Sequence, residues 1–268
     1  MRAELLTYWQ LARAGFRQQS RYRLATFAGL LTNVVFGFLK AAVLFAAVRA
    51  AGGDLRGYGV GAMSAYVWLS QGLLGAVQAH GKAEIGERIR TGDVAVDFLR
   101  PVDVQLSHLA ADLGKASFSL IPRGIPSVLV GALTVGIVMP RAPLPYLLGV
   151  VSVVLGMAIS FCGRYAVNVL GFWLVETRGM QLLYMVASTF LMGMFVPVSL
   201  FPGWLGALAS ATPFPSIMMA PIDVLSGRKL GLDALRVLGL QLFWLGVTFL
   251  LGHLLTTAGR RKLEVQGG

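Results

Sequence analysis

Apolar residues run along this chain in blocks near the length of a membrane crossing, with polar, charged or proline-bearing joints between them. The blocks fall at about Leu24–Val48, Gly61–Ala79, Leu120–Met139, Tyr146–Val175, Met180–Leu200 and Val237–Thr257. Roughly 20 apolar residues in a helix cross a hydrocarbon core of about 30 Å, so the blocks predict six transmembrane helices. The fourth is longer than one crossing needs. Ahead of the first, Leu5, Tyr8, Trp9, Leu11, Ala12 and Phe16 recur near helical spacing, opposite an Arg/Gln-rich side. That pattern predicts an amphipathic helix over residues 1–23, lying in the membrane interface.

Two joints carry a pattern of their own. A charged segment runs from His80 to about Ser117. Within its part 81–101, Ile85 and Ile89 sit one helical turn apart, and Glu84 can pair with Arg88 at the i, i+4 spacing. Thr91-Gly92 breaks that helix, and Asp93 can cap a second one through Phe98 and Leu99, stopped at Pro101. The reading is two short amphipathic helices along the membrane surface, either a solvated loop or a docking surface for a soluble partner. The second joint, 201–227, is apolar enough to touch lipid. Pro202, Pro213, Pro215 and Pro221 make one continuous crossing helix improbable there. Non-helical backbone at membrane depth must be shielded by protein or water, so a re-entrant helical hairpin is expected.

Composition sharpens the class. Of 268 residues 56% are hydrophobic and 13% charged, with mean hydropathy +0.71. A soluble domain averages roughly 25% charged residues, so this chain reads as an all-α integral membrane protein, one domain over 1–268. The net charge of +11 gathers at the ends of the blocks, which points to topology and lipid headgroups and away from nucleic acid. With the N-terminus inside, 15 Lys/Arg fall on the inner side and 6 on the outer, so both termini are expected in the cytoplasm, in the cell membrane. The first block is too long for a signal-peptide core and reads as a retained anchor.

Candidate chemistry is sparse. All 12 acids fall outside or at the ends of the blocks, which leaves no buried carboxylate for proton or sodium coupling. Cys162 is the single cysteine, and His80, His108 and His253 form no spaced metal motif. The phosphate-cradling GxxxxGK[ST] is absent, because Gly81-Lys82 is followed by Ala83. The chain therefore reads as no enzyme and as binding no cofactor, and powered transport would draw its energy from another chain. Two charges lie within blocks. Arg164, near the inner end of the fourth, is read as snorkelling to a headgroup. Lys40 leaves snorkelling and function open, and with Asn33 it is a candidate pathway or interface residue. Met194, Phe195, Pro197, Phe201, Pro202 and Trp204 make the end of the fifth block large, soft and helix-broken. They suit either ordinary packing or an apolar exit gate, since Met and Phe repack around varied ligands.

At these residues the chain resembles the permease subunits of ABC type-2 exporters. The resemblance rests on the N-terminal amphipathic helix, the charged segment ending Asp97-Phe98-Leu99-Arg100-Pro101, and the later run. That run comprises Gly193-Met194-Phe195-Val196-Pro197, Phe201-Pro202-Gly203-Trp204, Pro213-Phe214 and Pro221. It implies two permeases, identical or paired with a similar one, bound to two ATPase chains that hold ATP and magnesium. It further implies that Glu84, Ile85, Arg88, Ile89, Phe98, Leu99 and Arg100 belong to a coupling helix that docks on the ATPase. Phe201–Pro221 becomes an extracellular re-entrant hairpin, and the transported molecule is amphiphilic or hydrophobic, a drug, natural product or lipid-like compound. The Leu-Arg-Pro ending looks most like a branch of small permeases often paired with a different second one. The short joint between the first two blocks sets the chain apart from permeases built around a large external domain. The residues alone leave a second class standing, a membrane carrier or scaffold without an ATPase partner.

Overall fold

The computed structural model describes residues 2–21, 23–77 and 83–266. Ala79, His80, Gly81 and Lys82, where the second block was expected to close and the coupling segment to begin, lie outside the described residues. Every element among the described residues is helical. In chain order they are α1 (Arg2–Ser20), α2 (Arg23–Ala50), α3 (Val60–Val77), α4 (Glu84–Thr91), α5 (Val94–Phe98), α6 (Val104–Ser119), α7 (Ile125–Thr134), α8 (Leu144–Val169), α9 (Arg178–Leu191), α10 (Gly203–Ser210), α11 (Phe214–Ile217), α12 (Met219–Leu225) and α13 (Leu232–Gln266).

Among the described residues, five continuous stretches are long and apolar enough to cross a membrane: Phe27–Ala50, Val60–Val77, Val104–Thr134, Leu144–Phe172 and Leu232–Lys262. The most enclosed is α3. Its Trp68 is wholly buried and lies against Gly37 of α2 and Gly131 of α7, where a Cβ would overlap the indole. On the outside, α2 exposes Leu31, Phe36, Leu39 and Val43, and α13 exposes Leu235, Leu242, Phe243 and Leu250. Apolar side chains facing outward match lipid, which leaves close packing and buried polar contacts to hold the helices together.

The fifth block departs from one continuous helix. The helix α9 has 14 residues, about 21 Å by rise. It stops where Gly193 takes φ +77°, a left-handed turn that favours glycine. The carbonyls freed there are taken by neighbours. The Tyr66 hydroxyl of α3 donates to Gly193 O (2.6 Å), and Lys40 Nζ of α2 donates to Met194 O (2.5 Å). Beyond, the chain continues irregularly through a 3₁₀ turn at Val198–Leu200. Both ends of the chain pack near α4 and α5. Tyr8 accepts from Asp103 N (3.2 Å), and the Arg260 guanidinium lies over the Phe98 ring at 5.5 Å. The described ends of the chain therefore lie at the same end of the bundle, and α9 with the irregular stretch after it stands beside the five continuous stretches.

The third crossing begins at Val104, well before the expected Leu120. Asp103 caps α6, its Oδ1 accepting from Leu106 N at 2.8 Å. Pro122 does not end the helix, because it falls in a π-helical turn, Leu120–Gly124, that joins α6 to α7. This extension corrects the reading of Arg164. Its side chain is 3% exposed and pairs with Asp112 of α6 at 2.9 Å, so it does not snorkel to a headgroup.

Along α6 runs α1, whose backbone approaches it closely: a Cβ on Gly114 would overlap the Ala12 carbonyl, and one on Gly15 the Ala111 carbonyl. Phe16 and Phe118 meet edge to face at 5.1 Å, while Leu5, Leu6 and Trp9 stay exposed. The helix is thus docked on the bundle and still offers an apolar edge to lipid. After the irregular stretch, α10, α11 and α12 fold back at the far end of the bundle. Pro202 and Pro213 stand at the starts of α10 and α11, and none of the three is long enough to cross. Buried Gln241 of α13 ties this segment in. It donates to Ser152 O of α8 (3.0 Å) and Ser216 O of α11 (2.8 Å), and accepts from Ser152 Oγ (2.7 Å).

Replacing Gly114 with Leu should therefore unseat α1, because overpacking of a tight contact costs about 1–3 kcal/mol or more. Limited proteolysis should release the N-terminal segment from this variant. Gly239→Leu, at a site where a Cβ meets nothing, should behave as wild type. Equal protection of both variants would show that the seam does not hold α1.

Candidate functional site

The α4–α5 segment is held from behind. Ile85 and Ile89 point into the chain's own core, with Val94 of α5, Phe161, Cys162, Tyr165 and Val169 of α8, and Phe172. Gly86 lies so close to Asn168 that a Cβ would overlap its carboxamide. Ile85 and Ile89, which the resemblance places in a helix that docks on the ATPase, are thus covered by α8 of the chain itself. Gly92 ends α4 at φ +83°, as Thr91-Gly92 predicted. Asp93 begins α5 without capping it; its Oδ2 accepts from Thr91 Oγ1 at 2.8 Å.

The ion pairs also differ from the local spacing. Arg88 reaches across to Asp97, donating through Nε and, at 2.9 Å, through Nη2, so a two-point contact clasps α4 to α5. The hydrogen bond to Asp97 raises the Arg88 pKa above the usual arginine value. Glu84 pairs instead with Lys115 of α6 at 3.3 Å. What remains outward is Val96 (53% exposed), Leu99 (85% exposed), Arg100, and the Arg90–Glu87 pair. Phe98 is partly covered, packed on the Phe172 ring at 6.3 Å. Two short helices thus make a braced ledge with a small apolar tip.

At the opposite end, the gate candidates separate. Phe201 is buried and stacks on Phe190 at 5.3 Å; Pro197 is buried and Met194 half-buried. Phe195, Pro202 and Trp204 are exposed. Two arginines outside the expected site close this region onto the α2–α3 joint. Arg56 Nη1 donates to Phe201 O at 3.1 Å. Arg228 donates to Gly57 O at 2.7 Å, lies over the Tyr58 ring at 3.7 Å and approaches Asp223 at 3.5 Å. Together they border an open cleft of about 690 Å³, with Ser210 also on its wall. Burial pushes the Asp223 carboxyl up to about 6, against the pull of Arg228 and Lys229. Burial, with the Asp223 charge added, likewise pushes Tyr58 up to about 12. In the sequence, only Arg228 directly after the proline-rich segment hints at this; nothing local places Arg56 beside it.

Lys40 and Asn33 do come together, on one side of α2. Asn33 Nδ2 donates to Gln71 O at 3.0 Å, and Lys40 also donates to Ser70 Oγ at 2.8 Å.

Asp223 gives a pH signature. Its folded pKa lies above the ordinary value of 3.8, so its stabilising contribution is full below about pH 4 and is lost as pH rises through about 6. The loss amounts to at most about 3 kcal/mol. Melting of the detergent-solubilised protein should therefore move to lower temperature between pH 4.5 and 7, and Asp223→Asn should flatten that slope. An unchanged slope in the variant would place the titrating group elsewhere.

Residues 31–267 match the model of the ABC-2 family transporter protein. No individual curated protein matches the chain. The match takes in the α4–α5 ledge, the interrupted fifth crossing and the folded-back segment after it. The chain belongs to the ABC-2 family of transporter proteins, as a multi-pass membrane permease component of an ABC transporter.

Proposed function

We propose that this chain is the permease subunit of an ATP-driven exporter of amphiphilic or hydrophobic molecules, coupled to its ATPases through the α4–α5 ledge. The observation that carries this reading is the braced apolar tip. Ile85, Ile89 and the Arg88–Asp97 clasp fix the ledge to α8, while Leu99 and Val96 stand exposed at the end of the bundle where both termini lie. A rigid ledge transmits a push; a solvated loop absorbs it. The ledge end faces the cytoplasm, as the Lys/Arg bias supports, and the α10–α12 hairpin faces outward. Two such permeases, identical or different, stand side by side over two ATPase chains. Closure of the ATPases around ATP and magnesium pushes the ledges, rocks the permeases and opens the hairpin end. This chain carries no phosphate-binding loop of its own, so hydrolysis belongs to the partner.

The assignment divides the segment into two kinds of residue. Interfaces concentrate energy in a few anchors, about 2 kcal/mol or more on truncation. Leu99→Glu with Val96→Ala should therefore weaken ATPase copurification on the order of 30-fold, while the permease alone melts as wild type. Ile89→Ala should instead lower the melting temperature of the permease alone, by the loss of about 2–5 kcal/mol for a large-to-small core change. Undiminished ATPase recovery with the Leu99/Val96 variant would remove the ledge as the docking surface. Reproducible absence of any ATPase from the wild-type protein would favour the stand-alone carrier or scaffold.

Sidedness has its own test. Ser210 is exposed on the cleft wall at the hairpin end. In a Cys162→Ser background, Ser210→Cys should react with a membrane-impermeant thiol reagent added outside intact cells. Labelling only after the cytoplasmic side is opened would invert the orientation.

A further inference from the structure

A groove of about 610 Å³ opens on the side of the bundle between α2 and the stretch that follows α9, and its chemistry is uneven. Its rim is apolar, with Phe36, Leu39, Val43 and Phe195 exposed. Its floor holds Lys40, Gln71 and Thr189. Lys40 Nζ uses Ser70 Oγ and Met194 O as acceptors and lies 4.2 Å from the Tyr66 ring centroid. These contacts are neutral, and none of the ion pairs among the described residues includes Lys40. Arg164, another cation within a span, has its carboxylate in Asp112; among the described residues Lys40 has no equivalent. Beside it, the Thr189 hydroxyl and the Gln71 carboxamide oxygen are buried without a hydrogen-bond partner among the described residues.

A cation in a low-dielectric setting without a counter-charge is costly to hold, and unpaired buried polar atoms add to the cost. Both costs fall when an anion occupies the floor. The exposed Phe36, Leu39 and Val43 offer an alkyl chain a path out to the bilayer. We propose that this groove binds the anionic head of an amphiphile, with Lys40 and Thr189 donating to a phosphate or carboxylate and the tail lying along α2. This rests on the exporter reading for its meaning in transport, where it names the substrate class as anionic amphiphiles. The binding itself needs no ATPase.

The test uses the full chain in nanodiscs of zwitterionic phosphatidylcholine. The probes are an alkyl phosphate bearing a diazirine in its tail and the matching alkyl alcohol. Crosslinks within 36–43 and 194–196 should favour the phosphate on the order of tenfold. Lys40→Met should abolish that preference and Lys40→Arg should keep it. A purely structural Lys40, capping the Met194 carbonyl, would leave the head-group preference of these segments unaltered. Equal labelling of the wild type by phosphate and alcohol overturns the proposal, and this comparison stands even if Lys40→Met fails to fold. Adding phosphatidylglycerol separates the sources. Suppressed labelling supports the anionic site and names a phospholipid as occupant; persistent labelling supports it with a single-chain amphiphile. Loss of ATPase copurification would sink the exporter reading and leave the groove intact, whereas equal labelling would do the reverse.

Discussion

Backbone carbonyls at membrane depth have no water to turn to, and the two released where α9 stops govern much of this architecture. A helix interrupted in lipid survives only if other parts of the protein supply donors. Here Tyr66 and Lys40 supply them, from two different helices, to Gly193 and Met194. The consequence spreads. The helices α2 and α3 must stand side by side to present both donors at one height, and Trp68, two residues before Ser70, fills the gap between them. The chain then leaves the bundle as an irregular strap, from which the short helices α10 to α12 can fold back. A continuous fifth helix would need neither donor and could not lead into such a segment.

How much of this was readable in advance follows from what each feature depends on. Lipid demands about 20 apolar residues whatever the neighbours are, so most crossings could be placed from the pattern. Gly92, Pro202 and Pro213 break or start helices through their own backbone chemistry, and those breaks stand where expected. Partner choice was not readable. Glu84 and Arg88 sit at a favourable spacing, yet Asp97 and Lys115 take them, because the turn at Gly92 and the packing of α6 bring stronger partners closer. Arg164 read as a surface cation because nothing local announces that Asp112, 52 positions earlier, stands beside it. The stripe of Ile85 and Ile89 revealed that one face seeks burial; only the fold reveals that α8 supplies the cover.

The two ends of the bundle are built on different principles. At the ledge, apolar burial and a two-point guanidinium–carboxylate contact give stiffness in a piece only two short helices long. At the hairpin end, closure relies on guanidinium groups resting on carbonyls and on an aromatic face, contacts that can be exchanged for water at modest cost. On the proposed exporter reading, a molecule that must stay firm where it is pushed and yield where it releases cargo has reason for that asymmetry.

The seam between α1 and α6 bears on how the protein is made. Ala12 and Gly15 meet Ala111 and Gly114, so α1 must wait for a groove encoded roughly a hundred residues later. At about 5–20 residues per second, that interval lasts on the order of 5–20 s. Through it, the exposed edge of Leu5, Leu6 and Trp9 gives α1 somewhere to rest, at the bilayer surface beside the place it will occupy. An exposed apolar edge of this kind suits a bilayer surface, so what looks like an unfinished contact in the final fold would, during biogenesis, hold α1 within reach of its partner helix.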